Sequence, residues 1–186
     1  MTGMDIELYK KAVRVDSPDG FETFYGLIAN RVLPPHARHW VERVYDTRAA
    51  DKGYLCEAFR GSTKTTYFNT WTAWRIGLKP EDSHLRIQAT DDSAKENVET
   101  IANIVRYNPA WKALFPEIEP DFELGWSAEG YNVKRTDMPY DQWVRLKKNI
   151  SPDDTLKGYG YDSNSIIGKH PSGSLVVDDI HTDKNT

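Results

Sequence analysis

The chain has 186 residues, of which 39% are hydrophobic and 28% charged, a balance typical of a globular domain and not of a disordered chain. Its net charge of −4 argues against wholesale wrapping of DNA, because neutralising phosphates requires an excess of Lys and Arg. The single Cys56 excludes an internal disulfide and a cysteine-based zinc site. No apolar run reaches the length of a membrane span and the N-terminus lacks a signal-peptide pattern, so we expect a cytoplasmic protein.

The N-terminal part of the chain predicts two helices. Apolar residues recur at helical spacing over 21–32. The Pro34-Pro35 pair ends that helix because proline cannot donate a backbone hydrogen bond. A second short helix is predicted over 36–45. We assign residues 1–48 to an N-terminal helical segment and residues 49–186 to the core that follows.

The stretch over 57–66, Glu-Ala-Phe-Arg-Gly-Ser-Thr-Lys-Thr-Thr, suggests a phosphate-binding loop. Small residues let successive backbone N–H groups surround an anion, Lys64 would neutralise phosphates, and the Thr65 hydroxyl would hold magnesium. The stretch departs from the usual pattern G-x-x-x-x-G-K-[ST], since Ala58 and Thr63 stand where that pattern has glycine. Alone, the loop is a weak signal.

The segments around the loop alternate between strand and helix patterns. A strand is predicted over 53–59 and a helix over 65–76, with Gly77 as its C-cap. The alternating residues 85–90 predict the next strand. A capping box at 93–96 begins the next helix, whose inward side is apolar and which ends before a proline. Two strand–loop–helix units in succession favour a parallel α/β sheet.

The second half of the chain gives fewer clear patterns. Residues 122–127 and 131–134 are predicted to pair as an antiparallel hairpin, and residues 163–168 form a short strand or a turn. The apolar run 174–177 predicts a buried strand.

Two acidic residues, Asp178 and Asp179, directly follow that last strand. In a nucleotide hydrolase, an Asp at a strand end holds magnesium, and an adjacent acid orients the attacking water. If the strands are parallel, the acidic pair emerges at the same sheet edge as the loop. An isolated Asp-Asp pair is more simply the start of a turn, but its combination with the loop favours a site.

Two further features leave alternatives open. Arg60 could clamp phosphate oxygens bidentately, or could form a surface salt bridge. Asp178, Asp179, His181 and Asp183 are four potential ligands that could hold divalent ions for phosphodiester cleavage. That second arrangement leaves the loop unexplained.

Taken in order along the chain, these motifs resemble the large subunit of tailed-phage terminases, the motor ATPase that packages DNA into proheads. The likeness covers residues 50 to 180. Residues 60–65 are similar to that family's deviant Walker A, which keeps an Arg ahead of the Lys, and 175–179 are similar to its Walker B. The supporting segments are 33–36 near the adenine pocket, 87–97, 108–116, 154–156 and 165–170.

The resemblance implies a P-loop NTPase-type α/β fold, with a largely parallel sheet flanked by helices, and ATP and Mg²⁺ as cofactors. By this resemblance, the phosphates would be bound by Arg60, Gly61, Ser62, Thr63, Lys64 and Thr65, and His36 would lie on the adenine side. Magnesium would be held by Thr65 and Asp178. The catalytic residues would be Asp179, Lys64 and Arg60. Asp179 stands where the family usually has Glu, which is one methylene longer.

The resemblance also implies partners, which are double-stranded DNA, the portal protein and the terminase small subunit. It implies action in the host cell cytoplasm without a membrane, and a homo-oligomeric ring when the protein is full length. The family continues past Walker B into a coupling strand, a lid and a nuclease domain. Because this chain ends at Thr186, we expect a truncated motor, whose turnover alone is left open. The alternatives are a different P-loop DNA motor, the metal-dependent nuclease, and a fragment that binds without turnover.

Overall fold

The computed structural model describes residues 3–50, 53–58 and 61–180. Its helices are α1 (Gly3–Val13), α2 (Pro18–Ala29), α3 (Pro35–Ala49), α4 (Lys64–Leu78), α5 (Asp91–Tyr107), α6 (Pro109–Leu114) and α7 (Tyr140–Ile150), with a 3₁₀ helix at Asn164–Ile166. Its strands are β1 (His84–Gln88), β2 (Ile118–Pro120), β3 (Gly130–Tyr131), β4 (Val133–Arg135), β5 (Leu156–Gly160) and β6 (Ser174–Val177).

The main sheet has four strands in the order β3-β5-β1-β6. β1 lies parallel to both β5 and β6, and β3 pairs antiparallel with β5 at one edge. β2 and β4 form a separate antiparallel pair. This part of the chain therefore has an α/β fold with a mostly parallel sheet, as the sequence predicts.

Helix α5 packs closely against β5 because two glycines leave room for it. A Cβ at Gly158 would lie 2.8 Å from a methyl of Val98, and one at Gly160 would lie 2.9 Å from the amide nitrogen of Asp91. The apolar side predicted for this helix is buried, as expected from its periodicity. On β6, by contrast, Leu175 and Val177 are about half exposed.

The N-terminal helices pack around α4. The indole of Trp74 in α4 donates to the carbonyl of Val13 at the end of α1, at 2.9 Å. Asp16, between α1 and α2, pairs with Arg75 of α4 and Arg48 of α3, and Tyr45 of α3 donates to it. Burial alone would raise the pKa of Asp16, but these hydrogen bonds outweigh burial and hold that pKa well below its usual range.

The two helices predicted at the N-terminus are confirmed as α2 and α3. Ser17 caps α2 by accepting from the amide of Gly20, and a proline occupies the first turn of each helix, where its missing N–H is not needed. α2 ends at Ala29, with Asn30 in the left-handed conformation, so it stops before the predicted residue 32 and before the two prolines, which instead begin α3. The helices α1, α6 and α7 are additional to the sequence prediction.

Three sequence predictions about local structure are wrong near the site. Residues 53–58 are not a strand, because no strand of the described sheet pairs with them; Phe59 lies outside the described residues. Gly77 is inside α4 instead of capping it, because its bare Cα accommodates the ring of Phe115, 2.4 Å from where a Cβ would lie. The N-cap of α5 is Thr90 and not the predicted capping box at 93–96. The hydroxyl of Thr90 accepts a hydrogen bond from the backbone amide of Ser93.

Two further predictions fail in the second half of the chain. The hairpin between 122–127 and 131–134 reduces to a single bridge, Trp126 with Tyr131, because β3 pairs with β5 and β4 pairs with β2. The strand predicted over 174–177 forms with those bounds but is not buried, since within the described sheet it has β1 as its one neighbour.

Among the helices that the structure describes, none combines the length and the apolarity that crossing a bilayer requires.

Candidate phosphate and metal site

The segment before α4 turns sharply through two residues with positive φ. Gly61 has φ +86° and Thr63 has φ +58°, in the left-handed region. Thr63 occupies one of the positions where the usual phosphate-loop pattern has glycine. Its hydroxyl donates to the carbonyl of Ser62 at 2.7 Å and does not cap α4. The first N–H groups of α4 therefore have no side-chain cap from Thr63, and such groups favour a negative charge.

The end of β6 brings the acidic pair beside this turn. The backbone N–H of Asp178 donates to the carbonyl of Ile87 at 2.9 Å, which continues the parallel ladder between β1 and β6 by one residue. The side chain of Asp178 is 4% exposed and that of Asp179 is 79% exposed. Asp179 has φ +47°, so the chain turns away from the sheet immediately after Asp178.

The first two side chains of α4 converge on Asp178. The Nζ atom of Lys64 lies 2.7 Å from Oδ1 of Asp178, and the Thr65 hydroxyl donates to Oδ2 at 2.7 Å. Thr65 and Asp178 are 113 positions apart in sequence. Lys64 also lies 3.9 Å from a carboxylate oxygen of Asp179. The fold thus joins the Lys-Thr pair and the acidic pair that the sequence singled out.

Both members of the Lys64–Asp178 pair are held in their charged forms. Burial raises the pKa of Asp178, but Lys64, Thr65 and the charge of Arg86 outweigh it, so that the pKa is below its usual value. Burial lowers the pKa of Lys64, but Asp178 and Asp179 outweigh it and raise that pKa. The result is a largely buried ion pair at the sheet edge.

The remaining predicted site residues lie at different places. Ser62 is buried directly before α4, and Gly61 is exposed. His36 is the second residue of α3, and the centroid of its ring lies 5.0 Å from that of Trp40 and 6.0 Å from that of Tyr67 on α4. Arg60 lies outside the described residues.

A second polar layer lies under the site, and sequence analysis missed it. Arg86 on β1 is fully buried and donates through Nη2 to the side-chain oxygen of Asn69 on α4. The amide of Asn69 donates to Asn97 on α5 at 2.7 Å. Gln88, two residues after Arg86, is 3% exposed. The one sequence signal is that the strand predicted over 85–90 contains an arginine.

The oxygen donors at the site fit magnesium. Mg²⁺ prefers carboxylate and hydroxyl oxygens, and proteins commonly hold it with one or two carboxylates plus phosphate oxygens and water. Asp178 and Thr65 supply such donors side by side. No group of three or more His, Cys, Asp or Glu side chains placed to hold a metal occurs among the residues described, and His181 and Asp183 of the alternative nuclease cluster lie outside them.

Comparison with protein-family models, with curated proteins and with solved structures found no match for this chain.

Proposed function

We propose that this chain is a magnesium-dependent nucleotide-binding domain of the P-loop type. One observation carries the proposal: Lys64 and Thr65, at the start of a helix, both contact the Asp178 carboxylate at the end of a parallel strand. P-loop sites need a lysine for the outer phosphates, a hydroxyl for magnesium and a strand-end acid within reach of both. The three residues supply these groups within one cluster.

The exposure of Lys64 and the direction of α4 agree with this assignment. Lys64 is 22% exposed, so its ammonium can leave Asp178 for a phosphate oxygen at the mouth of the site. The positive end of α4 faces the same region and favours an anion. Bound Mg²⁺ would supply charge neutralisation of the phosphates, with Asp178 and Thr65 as its protein ligands. Lys64 would hold the phosphate, and Asp179 would orient water.

Within that class we propose the ATPase domain of a terminase large subunit, because the order of the motifs resembles that family. ATP is the expected nucleotide, with its adenine on the side of His36. DNA, the portal protein and the small subunit are the proposed partners of the ring-forming parent protein in the host cytoplasm.

The test is magnesium-dependent ATP binding, measured by titration calorimetry. Lys64→Ala is expected to abolish measurable binding. Lys169→Ala is its matched control, because Lys169 forms an equally short 2.7 Å ion pair, with Asp153, and has similar exposure. Equal ATP affinity in wild type and Lys64→Ala would refute the proposal. Binding without hydrolysis in the wild type would assign the chain to the fragment alternative.

The nuclease alternative is separated from this proposal by a second assay. Cleavage of DNA with Mg²⁺ or Mn²⁺ should be absent if the site serves nucleotide binding. Cleavage that survives Lys64→Ala but disappears in Asp178→Asn would favour the nuclease, since Asp178 belongs to both candidate sites and Lys64 belongs to the nucleotide site alone.

A further inference from the structure

Arg86 is the charged residue of the polar layer under the site, and the hydrogen bonding of its buried guanidinium is incomplete. Its Nη2 donates to Asn69, whereas Nε and Nη1 have no hydrogen-bond partner among the described residues. No carboxylate within that part of the chain forms an ion pair with it. Burial lowers the pKa of Arg86 to about 10, and the charge of Asp178 opposes that shift, so the group is a cation at neutral pH.

Such a group is costly for stability. A buried charge without an ionic partner carries a desolvation penalty, and apolar replacements of buried ionic groups are often neutral or stabilising. Buried donors are normally satisfied. The buried arginine therefore lowers the free energy of unfolding, at a position next to the candidate site.

The position of Arg86 connects it to that site through two routes. In the β1–β6 register Arg86 lies opposite Val176, and because side chains alternate along a strand, Arg86 and Asp178 project from the same face of the sheet. On α4, Asn69 is four residues after Thr65, so the two side chains share one side of the helix. Arg86 thus contacts the helical turn directly beneath the one that carries the Asp178 contact.

We infer that Arg86 is a positioning residue of the nucleotide site, which fixes the first turns of α4 against β1 through Asn69 and supplies a fixed positive charge behind Asp178. The inference rests on the proposed function. When a phosphate takes Lys64 away from Asp178, this carboxylate still interacts through charge with a buried cation that cannot leave. Arg86 then balances the charge of the site while the ligand is bound.

Arg86→Met tests the inference, because Met keeps much of the length and removes the charge and the donors. A positioning role predicts a melting temperature equal to or above that of the wild type. It also predicts a Kd for MgATP about 10- to 100-fold weaker, by analogy with residues that orient metal-binding side chains. Arg86→Lys, which keeps the charge but loses the fork of donors, should recover part of the affinity.

Arg75→Met is the matched control. Arg75 is a buried arginine of α4 that has an ionic partner, Asp16, at 2.5 Å. Its replacement should lower the melting temperature and leave the Kd of the folded protein unchanged. Asn69→Ala provides a second variant that weakens binding by the same route, and its effect should not add to that of Arg86→Met.

The outcomes separate the two proposals. A wild-type protein that does not bind MgATP overturns the proposed function. A wild type that binds, with an Arg86→Met variant that melts lower and binds equally well, shows a purely structural arginine and overturns the inference alone. If Arg86→Met does not fold, unchanged affinity in both Arg86→Lys and Asn69→Ala overturns it.

Discussion

Replacing Asp178 by Asn should change ATP affinity in opposite directions with and without magnesium. The ammonium of Lys64 is held by Asp178 at 2.7 Å. A phosphate must displace Asp178 from this ion pair before it can bind the ammonium of Lys64. In the Asn variant the ammonium is free, and the repulsion between the carboxylate and the phosphates is gone. Without magnesium, the variant should therefore bind ATP more tightly than the wild type.

The size of the gain follows from the burial of the pair. Asp178 is 4% exposed and Lys64 is 22% exposed, so the pair lies between two reference cases. Exposed pairs contribute up to about 1 kcal/mol, and breaking a buried pair costs about 3–5 kcal/mol. An intermediate value of about 2 kcal/mol corresponds to roughly 30-fold in Kd. With excess magnesium the sign reverses, because an amide oxygen is a weaker ligand for Mg²⁺ than a carboxylate.

The assay is titration calorimetry with ATP, once in EDTA and once in excess MgCl₂. Asp179→Asn is the matched control, because this neighbouring acid is 79% exposed and 3.9 Å from Lys64; its removal should change either Kd by only a few-fold. If Asp178→Asn weakens ATP binding by the same factor in both buffers, the ion pair does not compete with phosphate and the reasoning is wrong.

Four changes in stability can be checked by thermal and urea unfolding. Thr63→Gly should stabilise by up to about 1 kcal/mol, because glycine adopts the positive φ of this position without a Cβ penalty; a loss would mean that the Thr63 hydroxyl matters more. Gly77→Ala should cost about 1–3 kcal/mol, since the new methyl meets the buried ring of Phe115, and no loss would show that the ring can move. Burial would raise the pKa of Asp16, but its hydrogen bonds outweigh burial and lower that pKa. The free energy of unfolding of the wild type should therefore fall as pH drops below about 5, and Asp16→Asn should make it depend less on pH. An equal dependence on pH in both proteins would contradict this. Burial lowers the pKa of Lys147 to about 8. Between about pH 8 and 10 the unfolded chain therefore binds more protons than the folded one, and stability should rise with pH. Lys147→Met should remove that rise and stabilise the protein by about 3 kcal/mol at pH 7, and destabilisation would refute the reasoning.

Sequence patterns predicted the elements whose signals are local. The periodicity of α2, α3 and α5 and the apolar run of β6 specify helix or strand from neighbouring residues, and the structure contains each of them. Lys64 and Thr65 were also expected near Asp178, but through a strand over 53–59 that would end beside the acidic pair. Residues 53–58 form no strand, so the convergence on Asp178 comes from the placement of α4.

The elements that sequence analysis missed depend on contacts between distant parts of the chain. β5 has the sequence Leu-Lys-Gly-Tyr-Gly, whose glycines disfavour a strand in isolation. Those glycines are required by α5, which approaches them too closely for a Cβ. Arg86 and Asn69 each look like surface residues in sequence, and only the packing of α4 on β1 buries them together.

The left-handed backbone at Thr63 bears on how such loops are detected. Thr63 has a conformation that glycine adopts freely, although the side chain is that of threonine. A threonine can therefore hold the backbone shape that glycine usually provides, when the surrounding contacts bear the strain. Pattern searches that require glycine at this position pass over loops of this kind, whereas searches based on backbone dihedral angles retain them.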